Sequence, residues 1–232
     1  MEHLVALRRD LHAHPELGFQ EQRTSDIVAN FLQQLGIEVH RGIGKTGVVG
    51  ILKKGGSERM IGLRADMDAL PMLDQSGTDW QSRVEQVSHA CGHDGHTVML
   101  LGAAEKLARD VSFDGSVCFI FQPAEEGLAG AKAMIDDGLF SRFPCEAVYA
   151  IHNWPELPLG QVQTRPGAIM AAADRFDIRV LGGGGHAAQP HLTRDTLLAT
   201  SELVVQLNTL VSRALDPCET ALLTVTRMQG GF

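Results

Sequence analysis

Short apolar runs alternate with helix-like segments through the middle of the chain, and this alternation constrains the fold more than any other feature. The apolar runs have the length of buried strands and cover residues 48–52, 60–63, 117–121 and 147–151. Helical spacing of apolar residues predicts helices over 97–108 and 129–135. Strands separated by helices favour parallel pairing with both faces of the sheet covered. We therefore predict an α/β fold with a mostly parallel sheet.

Two further helices are predicted near the N-terminus. The first runs from Leu4 to His12 and ends before a proline. The second carries apolar residues at helical spacing between positions 27 and 32, with Thr24 and Ser25 as expected caps and Gly36 as the expected stop.

Polar side chains follow three of the predicted strands at the point where each strand ends. Residues 64–68 follow the strand at 60–63, residues 122–126 follow the strand at 117–121, and His152 follows the strand at 147–151. The carboxyl ends of parallel strands meet at one edge of a sheet, and ligands collect there. We therefore expect these polar groups to lie together.

The segment from Cys91 to His96 reads Cys-Gly-His-Asp-Gly-His and is typical of a metal site. Cys91 and His93 are two positions apart, so in an extended chain both side chains project to the same side. Thiolate and imidazole ligands suit a divalent transition metal. The alternative for Cys91 alone is a small buried apolar residue.

Glu125, Glu126 and His152 complete the candidate site. Adjacent carboxylates at a strand end point in different directions, so one can hold a metal while the other faces a substrate. The alternatives are a solvated turn for the two glutamates and a satisfied core histidine for His152. Asp66 and Asp68 either orient ligand histidines through hydrogen bonds or cap the following turn.

The composition narrows the class of protein. The 232 residues carry 20 basic and 28 acidic side chains, a net charge of −8, without a run of Lys or Arg. This charge pattern argues against nucleic acid and anionic membranes as partners. The N-terminus has no signal-peptide pattern, and no apolar run reaches the length of a membrane span. Four scattered cysteines fit a reducing compartment, so we expect a cytoplasmic protein.

The pattern changes near residue 170. Residues 175–180 alternate like a half-exposed strand, 197–215 have the spacing of an amphipathic helix, and 221–226 have the pattern of another strand. We therefore predict two domains, a metal-binding catalytic domain over 1–172 and the first half of an α+β module over 173–232.

Five motifs in this order resemble the M20 metallopeptidase family in its amidohydrolase branch, which includes hippurate hydrolases, N-acyl-amino-acid deacylases and auxin-conjugate hydrolases. The motifs span nearly the whole chain and are Leu11–Phe19, Arg64–Pro71, His89–His96, Gln122–Gly127 and Gly184–Ala188. The resemblance implies a zinc-peptidase-like three-layer catalytic domain. It also implies an inserted ferredoxin-like lid domain that often dimerises.

The resemblance also implies roles for individual residues. Metal ligands of a two-metal site, holding Zn, Mn, Ni or Co, are matched by Cys91, His93, Glu126 and His152. Glu125 matches the general base that deprotonates the attacking water and passes the proton to the departing amine. His186 matches a lid histidine that holds the substrate carbonyl or carboxylate.

The expected activity is metal-dependent hydrolysis of the amide bond of N-acyl amino acids such as hippurate or N-acetyl amino acids. Family members continue past the position of residue 232 and supply a last histidine ligand there, so the chain is expected to be a fragment that needs the missing segment for activity. A non-catalytic remnant that binds metal or dimerises is one alternative, and an aminopeptidase or dipeptidase of the same family is another.

Overall fold

The chain divides into two compact units in this computed structural model, which describes residues 1–109 and 111–231. The first unit is Met1–Pro158, and the second begins at Leu159. The predicted boundary between a catalytic domain and a lid domain, between residues 172 and 173, remains a prediction.

The first unit alternates helices and strands. Its described elements are α1 Glu2–Ala13, α2 Gln22–Gln34, β1 Glu38–Ile43, β2 Gly47–Lys54, β3 Met60–Asp66, α3 His93–Arg109, β4 Gly115–Gln122, α4 Gly130–Asp136, α5 Leu139–Arg142 and β5 Ala147–Ala150. All four predicted strands and all four predicted helices of this part of the chain are present. The strand β1 and the short helix α5 were not predicted.

The strands of the first unit form one sheet in the order β1-β2-β4-β3-β5. Strand β4 pairs in parallel with β3, and β3 pairs in parallel with β5. Strand β2 is antiparallel to both β1 and β4. Four strands therefore run in one direction and β2 runs in the other, which confirms the α/β class and the mostly parallel sheet.

Helices cover both faces of the sheet, and the central strand β4 is therefore buried along its whole length. Its alternate residues Phe119 and Phe121 pack with apolar side chains of α2 and α3. Ile120, on the opposite face, packs with Met134 of α4 and with residues of and around α5. A strand buried on both faces needs an apolar residue at nearly every position, which explains the uninterrupted run that predicted it.

The carboxyl ends of the three parallel strands lie at one edge of the sheet, as the sequence predicted. Asp66 at the end of β3 is in register with Gln122 at the end of β4, and Arg64 is in register with Ala150 at the end of β5. The segments that follow these strands are thereby brought to a common place.

The beginning of α2 differs from the prediction. Thr24 and Ser25 lie inside the helix and are buried, so they are not its caps. The Glu16 carboxylate instead accepts hydrogen bonds from the backbone N–H groups of Arg23 and Thr24, at 3.0 and 2.8 Å. A carboxylate outside the helix satisfies the N-terminal N–H groups that a local cap would satisfy. The predicted stop at Gly36 is confirmed by its positive φ of 73° just beyond the helix.

The second unit contains one long helix in its described part, α6 Thr196–Ala214, which confirms the predicted helix. The Asp195 side chain caps it by accepting a hydrogen bond from the N–H of Leu198 at 2.9 Å. The strands predicted at 175–180 and 221–226 are not formed within the described residues 159–231. An isolated alternating segment does not become a strand unless a neighbouring strand takes up its backbone hydrogen bonds.

None of the helices in the described part of the chain combines the length and the apolar character that crossing a lipid bilayer requires.

Candidate metal centre

Cys91 and His152 meet at the edge of the sheet, although 61 positions separate them. The Cys91 Sγ lies 3.4 Å from Nε2 of His152. The close approach depends on Gly92, which has a φ of 86° and at which a Cβ would lie 2.5 Å from Oδ1 of Asn153. A side chain at position 92 would therefore displace the Asn153 side chain and would be strained by the positive φ.

His93, the first residue of α3, is buried at the centre of the site. Its Nδ1 lies 3.3 Å from Oδ1 of Asp68. Its Nε2 lies 3.7 Å from a carboxylate oxygen of Asp66 and 3.8 Å from Oε1 of Glu126. One ring nitrogen is thus held by an aspartate and the other faces the remaining site residues.

Asp68 holds two parts of the site together. One of its oxygens contacts His93, and the other accepts a hydrogen bond from the backbone N–H of Glu126 at 2.9 Å. Of the two roles that the sequence left open for Asp68, the structure favours the orientation of a ligand histidine.

Among the buried polar atoms that lack a hydrogen-bond partner in the described residues are Nε2 of His93 and Oε1 of Glu126, which face each other in this cluster at 3.8 Å. Buried polar atoms almost always have a partner, so a facing pair without one indicates a group that binds between them. The donor set around them also fits a cation. One group of three ligand atoms within 4.8 Å of one another comes from Cys91, His93 and His152, and another from His93, Glu125 and Glu126. All four sequence-predicted metal ligands therefore lie in one cluster, and its residues fit a divalent metal.

The electrostatics of the cluster favour a positive charge. Burial and the Glu126 carboxylate raise the pKa of the Cys91 thiol to about 12. Burial raises the pKa of Glu126, and the neighbouring carboxylate of Glu125 adds to this, while His93 opposes it. Burial alone would lower the pKa of His93, but Asp68 and Asp66 raise it overall. Crowded acidic groups of this kind are stabilised by a nearby cation.

His96 uses both ring nitrogens in contacts with the protein. Its Nδ1 donates to Oδ1 of Asp66 at 2.7 Å, and its Nε2 accepts the backbone N–H of Asn153 at 3.0 Å. The side chain therefore ties the segment that carries His152 to the end of β3. His96 therefore positions the segment that carries His152, a role that the sequence did not assign. Asp66 in turn holds the His96 ring.

Glu125 is exposed beside the cluster, whereas Glu126 is half-buried inside it. The two adjacent side chains thus point to different surroundings, as the sequence predicted. A carboxylate oxygen of Glu125 lies within 4.8 Å of ligand atoms of His93 and Glu126.

His186 lies in the second unit, where its side chain is exposed and its Nδ1 accepts the N–H of Ala188 at 3.1 Å. Its predicted role in holding a substrate remains a prediction.

Asn153 was missed by the sequence analysis. Its N–H and side chain both contact His96, and its side chain lies against Gly92. Its place directly after His152 was a weak signal, because an asparagine in a loop is equally typical of an ordinary turn.

Comparisons with known proteins find similar sequences and similar structures. The family model of Peptidase family M20/M25/M40 matches residues 62–227. A hippurate hydrolase of Campylobacter jejuni is 48% identical over 97% of this chain and 58% of its own length. An N-acetyldiaminopimelate deacetylase of Oceanobacillus iheyensis is 42% identical over 100% of this chain and 62% of its own length. The chain thus spans about three fifths of the length of these curated relatives.

Among solved structures, the Bacillus subtilis YxeP protein, described as a dinuclear metal binding peptidase from the M20 family, is 40% identical with a TM-score of 0.64. The match covers 68% of this chain and 44% of that protein.

Proposed function

The chain belongs to Peptidase family M20/M25/M40, a family of enzymes, and on that premise we propose that its cluster binds two divalent metal ions and serves the hydrolysis of the amide bond of N-acyl amino acids. One observation carries the proposal. Cys91 and His93, from one segment, lie close to His152 and Glu126, from two other segments. In this cluster Nε2 of His93 and Oε1 of Glu126 are buried and have no hydrogen-bond partner. Four side chains of suitable chemistry rarely converge in this way for structural reasons alone.

Some residues of the cluster would bind the metal ions, and another would transfer a proton. Cys91, His93, Glu126 and His152 would hold the metal ions, with His93 oriented by Asp68. The bound ions would polarise the scissile carbonyl and stabilise the charge that develops on its oxygen. Glu125, exposed and adjacent, takes a proton from the attacking water and delivers it to the departing amine.

The substrate class comes from the relatives. One is a hippurate hydrolase and another is an N-acetyldiaminopimelate deacetylase, and both names describe an N-acylated amino acid. We extend that class to this chain as part of the proposal. The same proposal includes contact of His186 with the substrate, a homodimer formed through the second unit, and a cytoplasmic location.

Metal binding and turnover test the proposal separately. Isothermal titration of the metal-free protein with Zn²⁺ should show binding, and His93→Ala should weaken it by at least about tenfold because the central ligand is lost. Glu125→Gln should bind Zn²⁺ as the wild type does. In a form of the protein extended to the length of its relatives, Glu125→Gln should lower the release of glycine from hippurate by a factor of at least about 100, the usual contribution of a general base.

Matched variants and substrates separate the outcomes. Glu126→Gln, one position away, should lose Zn²⁺ affinity, which Glu125→Gln should keep. Free dipeptides serve as the control substrate, and faster cleavage of dipeptides than of hippurate would contradict the proposed substrate class. A wild-type protein without stoichiometric Zn²⁺ binding would contradict the metal centre, and full turnover by Glu125→Gln would remove Glu125 from its role.

A further inference from the structure

Glu21, the residue directly before α2, is fully buried and contacts residues that are distant from it in the sequence. Its Oε2 accepts a hydrogen bond from the hydroxyl of Thr46 at 2.6 Å. Its Oε1 accepts a hydrogen bond from the backbone N–H of Ala124 at 2.8 Å, across 103 positions of sequence. Burying a carboxylate is costly unless its oxygens are hydrogen-bonded, and these two contacts offset part of that cost for Glu21.

The residue that Glu21 holds has an unfavourable backbone conformation. Ala124 has a φ of 51°, in the left-handed region that residues with a Cβ rarely adopt. Its carbonyl accepts the N–H of Gly130 at 2.9 Å, so both sides of the residue are tied down. Such a conformation persists only where the surroundings enforce it.

The left-handed turn at Ala124 comes immediately before the two glutamates of the proposed site. Two residues later, the N–H of Glu126 is held by Asp68. Two buried carboxylates, Glu21 and Asp68, therefore hold the backbone on either side of Glu125. With the backbone held in this way, Glu126 faces His93 while Glu125 stays exposed.

We propose that Glu21 is a positioning residue that holds the Ala124 turn and thereby directs Glu126 towards the metal ions and Glu125 towards the substrate. The inference rests on the proposed function because both glutamates belong to that site. The alternative role is purely structural: Glu21 would only anchor the start of α2 to the turn between β1 and β2 through Thr46.

Variants that remove both contacts of Glu21, or only one of them, distinguish the two roles. Glu21→Met fills a similar volume without acceptors and removes both contacts. Thr46→Val removes only the contact with the hydroxyl, and Glu21→Gln keeps an oxygen that can accept the Ala124 N–H. In the double variant Glu21→Met/Ala124→Gly, glycine adopts the positive φ without strain, so the turn needs less support.

Hydrogen exchange of the peptide 122–130 and the affinity for Co²⁺ are the two measurements. We expect Glu21→Met to speed exchange of this peptide by at least about tenfold and to weaken Co²⁺ binding by about tenfold. Thr46→Val and Glu21→Gln should stay within about threefold of the wild type in both. The double variant should recover most of the Co²⁺ affinity, which a purely structural role would not predict.

The outcomes for this proposal and for the proposed function are distinct. If the wild type binds Co²⁺ and folded Glu21→Met binds it equally well, Glu21 is not a positioning residue although the metal site stands. Equal losses in Thr46→Val and Glu21→Met would also overturn the inference. If the wild type binds no Co²⁺, the metal site is wrong and the inference fails with it. Should Glu21→Met not fold, Glu21→Ala takes its place with the same expected and overturning results.

Discussion

The two units of the molecule differ in how much of their apolar surface they bury. In the first unit, Leu101 of α3 and Phe119 of β4 are 0% exposed within a continuous core. In the second unit, α6 has 19 residues and none of them is buried; Leu198 is 59% exposed and Val205 is 66% exposed. Both units contain amphipathic segments, but only those of the first unit pack against one another in the described part of the chain.

The difference shows what helices and strands need in order to form. An α-helix satisfies its backbone hydrogen bonds within one segment, so α6 forms although its side chains are exposed. A strand depends on partners, and the alternating segments 175–180 and 221–226 have none among the described residues. In the first unit the strand β5, only four residues long, forms because β3 lies beside it.

Truncation of an apolar side chain to alanine should destabilise the protein far more in the first unit than in the second. The loss in the first unit is the largest effect we expect. Phe119→Ala should lower the free energy of unfolding by about 3–5 kcal/mol because it leaves a cavity in the buried core. Val205→Ala, at an exposed position of α6, should change it by no more than about 0.5 kcal/mol. Urea denaturation followed by far-UV circular dichroism measures both.

Similar losses for the two variants would show that Val205 is buried in solution and would remove the contrast between the units. Leu198→Ala, at a second exposed position of α6, serves as the control for Val205→Ala.

The cap of α6 should have a smaller and local effect. Asp195→Ala removes the acceptor for the N–H of Leu198, and we expect a loss of about 1 kcal/mol of helix stability. Hydrogen exchange of residues 196–214 should accelerate about fivefold, the factor that corresponds to this energy, while exchange in α3 stays unchanged. Asp195→Asn, which keeps an acceptor oxygen, is the control. Faster exchange in α3 as well would mean that the two units unfold together.

Acid should act on the first unit through Asp74, with an effect confined to low pH. Burial by itself would raise the pKa of Asp74, but hydrogen bonds from the backbone N–H groups of Ser82 and Ser76 lower it to about 2. The unfolded chain should have a pKa of about 3.9 here, so the ionised group stabilises the fold fully above about pH 4. This contribution is lost as the pH falls through about 2.

The free energy of unfolding of the wild type should therefore fall more steeply from about pH 4 to about pH 2 than that of Asp74→Asn. Asp79→Asn, at an exposed position nearby, is the control and should follow the wild type. Identical slopes for the wild type and Asp74→Asn would contradict the assignment.

The sequence predicted which side chains gather at one edge of the sheet, but it did not predict the contacts between them. Cys91, His93, His152 and the pair Glu125 and Glu126 were singled out because ligand-type side chains follow strand ends or lie at ligand spacing. The choice of Glu126 over Glu125 as the metal ligand came from the family resemblance. The same signals could not assign the contacts of Asp68, because an aspartate after a strand is equally typical of a turn cap. Its role became clear only from the two contacts that its oxygens make.

Periodicity and side-chain chemistry were enough to predict four of the strands and four of the helices described in the first unit, and the polar side chains at one edge of the sheet. Only the tertiary structure decided which of these groups meet. Glu21 reaches Ala124 across 103 positions, and Cys91 reaches His152 across 61, because strand order and register bring their segments together. The physical reason is that a local pattern reports which face of a segment will be buried, whereas a hydrogen bond between distant residues depends on the position of every strand between them.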